Sequence, residues 1–236
     1  MADVSSPDGD ILVQQPAACA QLILLFHGVG AQAASMVPLA EQLAAAFPQG
    51  MVVCIQAPSP SDFPGGFQWF SVMGITEDNR QARVDAAMPA FVGRVAHWQQ
   101  KAQLGADATA LVGFSQGAIM ALESTKLGAP GASKAPAGRV VALSGRYASL
   151  PEDDRYRGTV HLLHGKRDAV ISYEHAVMGA HRLKALGVDF TAEVRPGIGH
   201  EVPTEMGEVV VERLRNHISQ HLLSDAASSA THPTDE

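Results

Sequence analysis

The sequence predicts an α/β fold: one domain with a mostly parallel central sheet and helices on both faces. Short continuous runs of β-branched residues and leucine alternate with helix-patterned stretches along the chain. That is the pattern of strands buried on both faces and joined by crossover helices. A length of 236 residues suits one such domain. A content of 46% hydrophobic and 17% charged residues supplies an ordinary core, burying roughly 70% of the surface the unfolded chain exposes.

Leu22–Phe26 reads as a buried strand ending at His27-Gly28-Val29-Gly30. Ser35–Phe47 has helical spacing, and Met51–Ile55 is a second buried strand. A loop rich in Pro, Gly and aromatic residues runs from Ala57 to about Ile75. Residues 76–103 form a long helix with Met88, Phe91, Val92, Val95 and Trp98 on one side, and Pro89 is a point where it can kink. Thr109–Val112 is a strand, Gln116–Thr125 a helix and Gly128–Gly138 a loop. Val140–Leu143 and Val160–Leu163 are strands, and Tyr173–Leu186 is a helix closed by Gly187. Phe190–Val194 is the last strand and Pro203–Leu222 the last helix. Residues 1–10 are read as a flexible N-terminus, 11–223 as the domain, and 224–236 as a disordered tail with little to bury.

Several function classes are set aside. A formal net charge of −7, without a Lys/Arg run, disfavours nucleic acid. Cys19 and Cys54 lie in apolar surroundings without ligand spacing, as buried thiols do. Ten histidines include no H-E-x-x-H or similar pattern, so neither a metal nor another cofactor is expected. The acidic start MADVSSPDGD is unlike a signal peptide, and the longest apolar runs are too short to span a bilayer. The expectation is a cytoplasmic protein without stable membrane association; a homodimer stays open.

In sheets of this kind, working residues gather at the carboxyl ends of the strands. Gly113-Phe114-Ser115-Gln116-Gly117 matches G-x-S-x-G between a strand and a helix, the context of a nucleophile elbow. The pattern alone also fits a βα turn whose serine caps the helix, so its partners decide. Asp168 follows the strand TVHLLHG, and His200 follows FTAEV after a short Gly-rich turn. The order Ser, Asp, His and the placement after strands both fit a hydrolase of the α/β type. Imidazole is the fitting base near neutral pH, and a carboxylate fixes its tautomer. Asp153 and Asp154 read as solvated loop residues, and Asp189 lies at the amino side of the sheet. His161 and His164 read as packing or backbone-bonding residues; His97, His175, His181, His217 and His221 read as helix-surface residues. The turn at His27–Gly30 can supply one oxyanion donor, the Val29 amide, and Gln116 the other. A tight strand-to-helix turn would carry the same glycines.

The ordered series HGVG (27–30), WF (69–70), GI (74–75), GFSQG (113–117), HGKRD (164–168) and GIGH (197–200) resembles the small carboxylesterases and acyl-protein thioesterases, the phospholipase/carboxylesterase group. The resemblance runs from about Leu22 to His217. It implies an α/β-hydrolase fold without an inserted lid domain and a triad of Ser115, Asp168 and His200. It further implies oxyanion donors at Val29 and Gln116, and acyl contacts from the loop bearing Trp69, Phe70 and Met73. Ala31 and Ser71 stand where the family often has an acidic residue, both near the expected mouth of the site. The implied activity is cleavage of small-molecule esters or thioesters with small to medium acyl groups. An acyltransferase using the same acyl-enzyme and a non-catalytic binding module are the alternatives.

Overall fold

The computed structural model describes residues 9–129 and 132–216. The expectations for residues 1–8 and 224–236 lie outside these. Strand β1 (Ile11–Gln14) is followed by β2 (Gln21–Phe26), a 3-10 turn at Ala33–Met36, α1 (Val37–Ala46) and β3 (Gly50–Ile55). A two-residue hairpin, β4 (Ser59–Pro60) with β5 (Phe67–Gln68), lies in the aromatic loop before α2 (Glu77–Ala102). Then come β6 (Thr109–Phe114), α3 (Gln116–Ser124), a small hairpin of β7 (Gly128–Ala129) with β8 (Ala132–Ser133), and β9 (Arg139–Leu143). The last elements are β10 (Thr159–Gly165), α4 (Glu174–Leu186), β11 (Asp189–Arg195) and α5 (Thr204–Asn216).

Seven strands form the main sheet in the order β1-β3-β2-β6-β9-β10-β11. All pair in parallel except β1, which runs antiparallel to β3 at the edge. Side chains alternate along each strand. Leu22, Leu24 and Phe26 of β2 therefore join the core under α2, α3 and α4, while Ile23 and Leu25 join the one under α1 and α5.

Local chemistry accounts for the helices. Thr76 caps α2 by accepting from the Asn79 amide while Asn79 accepts from the Thr76 amide, a reciprocal capping box. The buried positions Val84, Met88, Phe91, Val95 and Trp98 recur every three or four residues, one stripe of an α-helix. The helix continues through Pro89 as one element of 26 residues. Gly187 closes α4 at φ +70°, a left-handed cap that glycine adopts without a Cβ clash.

Two expectations need correction. β1 is a strand that the sequence reading passed over, because ILVQ is short and half-buried rather than a buried run. Asp10, taken as part of a flexible terminus, is fully buried. Its carboxylate accepts hydrogen bonds from the Gln56 amide at 2.8 Å, the Trp98 indole at 2.8 Å and Arg94 at 3.2 Å. Burying a charge is costly unless it is paired and hydrogen-bonded, and here three donors meet that condition.

Candidate active site

Ser115 links β6 to α3 with φ +53° and ψ −115°, outside the ordinary regions for a residue with a Cβ. Two glycines make that turn possible. A Cβ at Gly113 would lie 2.4 Å from the Gly117 carbonyl oxygen, and one at Gly117 would lie 2.3 Å from that of Phe26. Strand and helix thus approach closer than any side chain permits. The Ser115 amide donates to the Leu143 carbonyl at 2.9 Å, which pins the turn to the neighbouring strand.

The loops after β10 and β11 bring Asp168 and His200 to this turn. His200 Nδ1 lies 2.7 Å from Asp168 Oδ2, and His200 Nε2 lies 3.0 Å from Ser115 Oγ. A carboxylate only accepts, so Nδ1 carries the proton; Nε2 of the neutral ring is then free to accept from the serine hydroxyl. The Phe114 ring packs on the imidazole at 4.9 Å between centroids.

Asp168 Oδ1 accepts from the amides of Val170 and Ile171, each at 2.9 Å. Burial pushes its pKa up, but hydrogen bonds from His200, Ile171 and Val170 outweigh this, and the net shift is downward. The carboxylate therefore stays ionised although its side chain is out of solvent.

The turn after β2 lies against the serine: a Cβ on Gly28 would sit 3.2 Å from Ser115 Cβ. His27 is fully buried, and its Nε2 accepts from the Ala57 amide at 3.1 Å. Its Nδ1 therefore carries the hydrogen and donates to the Gly28 carbonyl at 2.8 Å. In a planar trans peptide the N–H points opposite to the C=O, so this bond fixes the direction of the Val29 amide. Among the described residues, the Val29 and Gln116 amides have no backbone acceptor; for Gln116 that is expected of the first residue of a helix.

The aromatic loop is tied to the same elbow. Gln116 Oε1 accepts from the Trp69 amide at 2.8 Å, and its Nε2 donates to the Phe70 carbonyl at 2.7 Å. The Trp69 ring faces the core, 5.1 Å from Phe91 and 6.0 Å from Phe26. Phe70 is also buried, whereas Met73 is 63% exposed. Ser71 donates to Asp62 Oδ2 at 2.7 Å, and the Val72 amide donates to the same oxygen at 3.0 Å. A carboxylate from the hairpin thus stands beside Ser71, a position noted above for lacking one.

Other acids sit elsewhere. Asp153 pairs with Arg155, Asp154 lies 3.9 Å from Arg157, and Asp189 accepts from Thr159 Oγ1 at 2.6 Å at the start of β11. Sequence reasoning took His164 for a packing or backbone-bonding residue; its Nε2 does lie 2.8 Å from the Ile171 carbonyl, but it also lies 3.1 Å from Asp168 Oδ2, a contact that reading missed. The HG-x-x-D spacing was the signal that could have found it: the strand ends between the two residues, and the chain turns back toward itself.

Among the described residues no helix is long and apolar enough to cross a membrane, and no three His, Cys, Asp or Glu side chains converge as a metal site would require.

Comparison with known proteins agrees with this fold. The phospholipase/carboxylesterase family model matches residues 9–222. Esterase YpfH of Escherichia coli strain K12 is 46% identical over 218 residues, 92% of each chain. Acyl-protein thioesterase 1 of Gibberella zeae is 35% identical over 108 residues, 42% of this chain and 44% of that protein. The crystal structure of esterase PE8 superposes with a TM-score of 0.76 at 27% identity, covering 85% of this chain and 94% of that one.

Proposed function

The chain belongs to the phospholipase/carboxylesterase family, and from that premise we propose that it cleaves carboxylic esters or thioesters through an acyl-enzyme on Ser115. The observation that carries this reading is the chain of contacts Ser115 Oγ, His200 Nε2, His200 Nδ1, Asp168 Oδ2 at 3.0 and 2.7 Å. In the first half-reaction Ser115 Oγ attacks the acyl carbonyl carbon while His200 Nε2 takes the hydroxyl proton. The tetrahedral intermediate carries its negative charge on the former carbonyl oxygen, where the Val29 and Gln116 amides donate to it. Collapse breaks the bond to the alcohol or thiol, which leaves with the proton from His200. Water then repeats the sequence at the acyl-enzyme, releasing the acid and restoring Ser115.

Asp168 does not exchange a proton in either half; it keeps the imidazole in the useful tautomer and stabilises the imidazolium. The loop bearing Phe70 and Met73 is assigned to the acyl group, with Trp69 behind it as packing. A small-molecule ester or thioester in the cytoplasm is the substrate class that we assign.

The test is a panel of p-nitrophenyl esters and acyl thioesters of graded length, together with a fluorophosphonate probe. We expect one equivalent of probe on Ser115, located by peptide mass spectrometry, with full loss of turnover. Labelling at another residue, or turnover surviving stoichiometric labelling, would remove Ser115 from the mechanism.

A further inference from the structure

Asp168 receives more hydrogen bonds than a triad needs. Oδ1 takes two backbone amides, and Oδ2 takes His200 Nδ1 at 2.7 Å and lies 3.1 Å from His164 Nε2. His164 Nε2 also lies 2.8 Å from the Ile171 carbonyl. Both of its neighbours are acceptors, so Nε2 must carry a hydrogen, shared between them in a three-centre bond. The side chain is 1% exposed, so no solvent competes. Burial, the largest influence, lowers the His164 pKa from 6.5 despite the carboxylate beside it, which favours the neutral ring. The other ionisable groups facing it are His200 and, on α4, His175, which itself contacts Arg146 and stands near Glu77 and Arg80.

We propose that His164 is a positioning residue for the reaction: its Nε2–H, donated to the oxygen that also accepts the hydrogen bond from His200 Nδ1–H, aims that oxygen and moderates its pull on the imidazole. The proposal rests on the triad reading above. Four donors occupy the lone-pair sites of a carboxylate, so Asp168 has neither rotational freedom nor spare basicity. Without the His164 donor, Oδ2 would hold the His200 imidazolium more tightly, and the general base would need a higher pH to be free. Proton return to the leaving group would also start from a less well-aimed ring.

The experiment compares three substitutions, with kcat and KM measured against pH on a p-nitrophenyl ester. H164L removes the donor. H164N keeps an amide but sets it back along the side chain, short of Asp168. H164Q puts its amide N–H near the place of the imidazole Nε2–H. We expect H164L and H164N to lower kcat roughly tenfold with KM little changed. Their acid limb of kcat/KM should move up by roughly half a pH unit, while H164Q keeps the wild-type limb and most of the rate. If H164L does not fold, the H164N and H164Q pair decides. Wild-type rate and limb in H164N would overturn the proposal. Equal losses in all three with an unmoved limb would also overturn it, leaving His164 as packing. S115A and D168N are measured beside them. Activity retained in either would bring down the triad itself, and with it this role; with both inactive, the His164 series alone judges the proposal.

Discussion

The side chain of Gln116 holds the main chain of Trp69, accepting from its amide at 2.8 Å and reaching the Phe70 carbonyl with its other end. In the proposed mechanism the residue whose amide would face the nascent oxyanion thus also fixes the loop assigned to the acyl group, so these two parts would not move independently. Gln116→Glu keeps an acceptor for Trp69 but turns a second carboxylate oxygen toward the Phe70 carbonyl. We expect kcat/KM for medium-chain esters to fall roughly tenfold, mainly through KM, since a displaced wall weakens ground and transition state alike. Steady-state kinetics on graded esters check this; a loss confined to kcat would place the effect on the oxyanion instead.

The elbow predicts a trade between stability and activity. Ser115 sits at φ +53° and ψ −115°, a conformation that costs a residue with a Cβ about 1–3 kcal/mol. Ser115→Gly relieves that strain and removes the nucleophile together. The expected result is a higher Tm than wild type, by a few degrees, and a loss of turnover on the order of a millionfold. A Tm below that of Ser115→Ala would show that the turn is not strained.

Acid should weaken the fold in two steps. Burial lowers the pKa of His27, His164 and His175 from 6.5, so the unfolded chain takes up protons at these sites before the folded one. Their contribution is fully present above about pH 6.5 and is lost as pH falls below it. Asp168 has a lowered pKa, so its contribution holds above the unfolded value of 3.8 and is lost only as pH falls further. Urea unfolding from pH 8 to 4 should show stability declining from about pH 6.5 downward, with a shallower decline in H164Q. A flat curve down to pH 4.5 would contradict the buried, neutral histidines.

How much of this was legible depends on how local each signal is. The parallel strands, Ser115, Asp168 and His200 are announced by short runs and by motif spacing, because a strand and the turn after it lie within a few residues. Asp10 was misread for the opposite reason. Its neighbours Ser, Pro, Gly and Asp look like an open terminus, while its partners Gln56 and Trp98 lie 46 and 88 residues away. His164 was seen as a residue at a strand's end, but the turn bringing Asp168 back to its ring is visible only in three dimensions.

The Asp10 network yields a stability prediction. Asp10→Ala leaves the Trp98 indole, the Gln56 amide and the Arg94 guanidinium without that acceptor, at a cost of roughly 3–5 kcal/mol. Gln56 in turn contacts His27 Nε2 at 2.9 Å, so kcat should also fall as the Val29 amide loses its fixed direction. Denaturant midpoints and kcat measured together test this. A stability change under 1 kcal/mol would mean that the buried carboxylate is not needed.

The acid of the triad can be tested against its rivals by one chemical change made at four places. Asp168→Asn keeps the shape of the side chain but presents a neutral amide to His200 Nδ1, favouring the tautomer that cannot accept the serine proton. The expected loss in kcat is on the order of ten-thousandfold. Asp153 and Asp154 lie beside arginines in the polar loop after β9, and their Asn variants should keep wild-type kinetics within about twofold. Asp189 makes the sharper control. It is as buried as Asp168, and its 2.6 Å bond from Thr159 joins the amino ends of β11 and β10, a strand's length from the reacting atoms. Asp189→Asn should therefore lower Tm while leaving kcat in place, whereas Asp168→Asn should collapse kcat. Near-full activity in Asp168→Asn with collapse in any of the other three would identify a different acid, even with Ser115 and His200 confirmed.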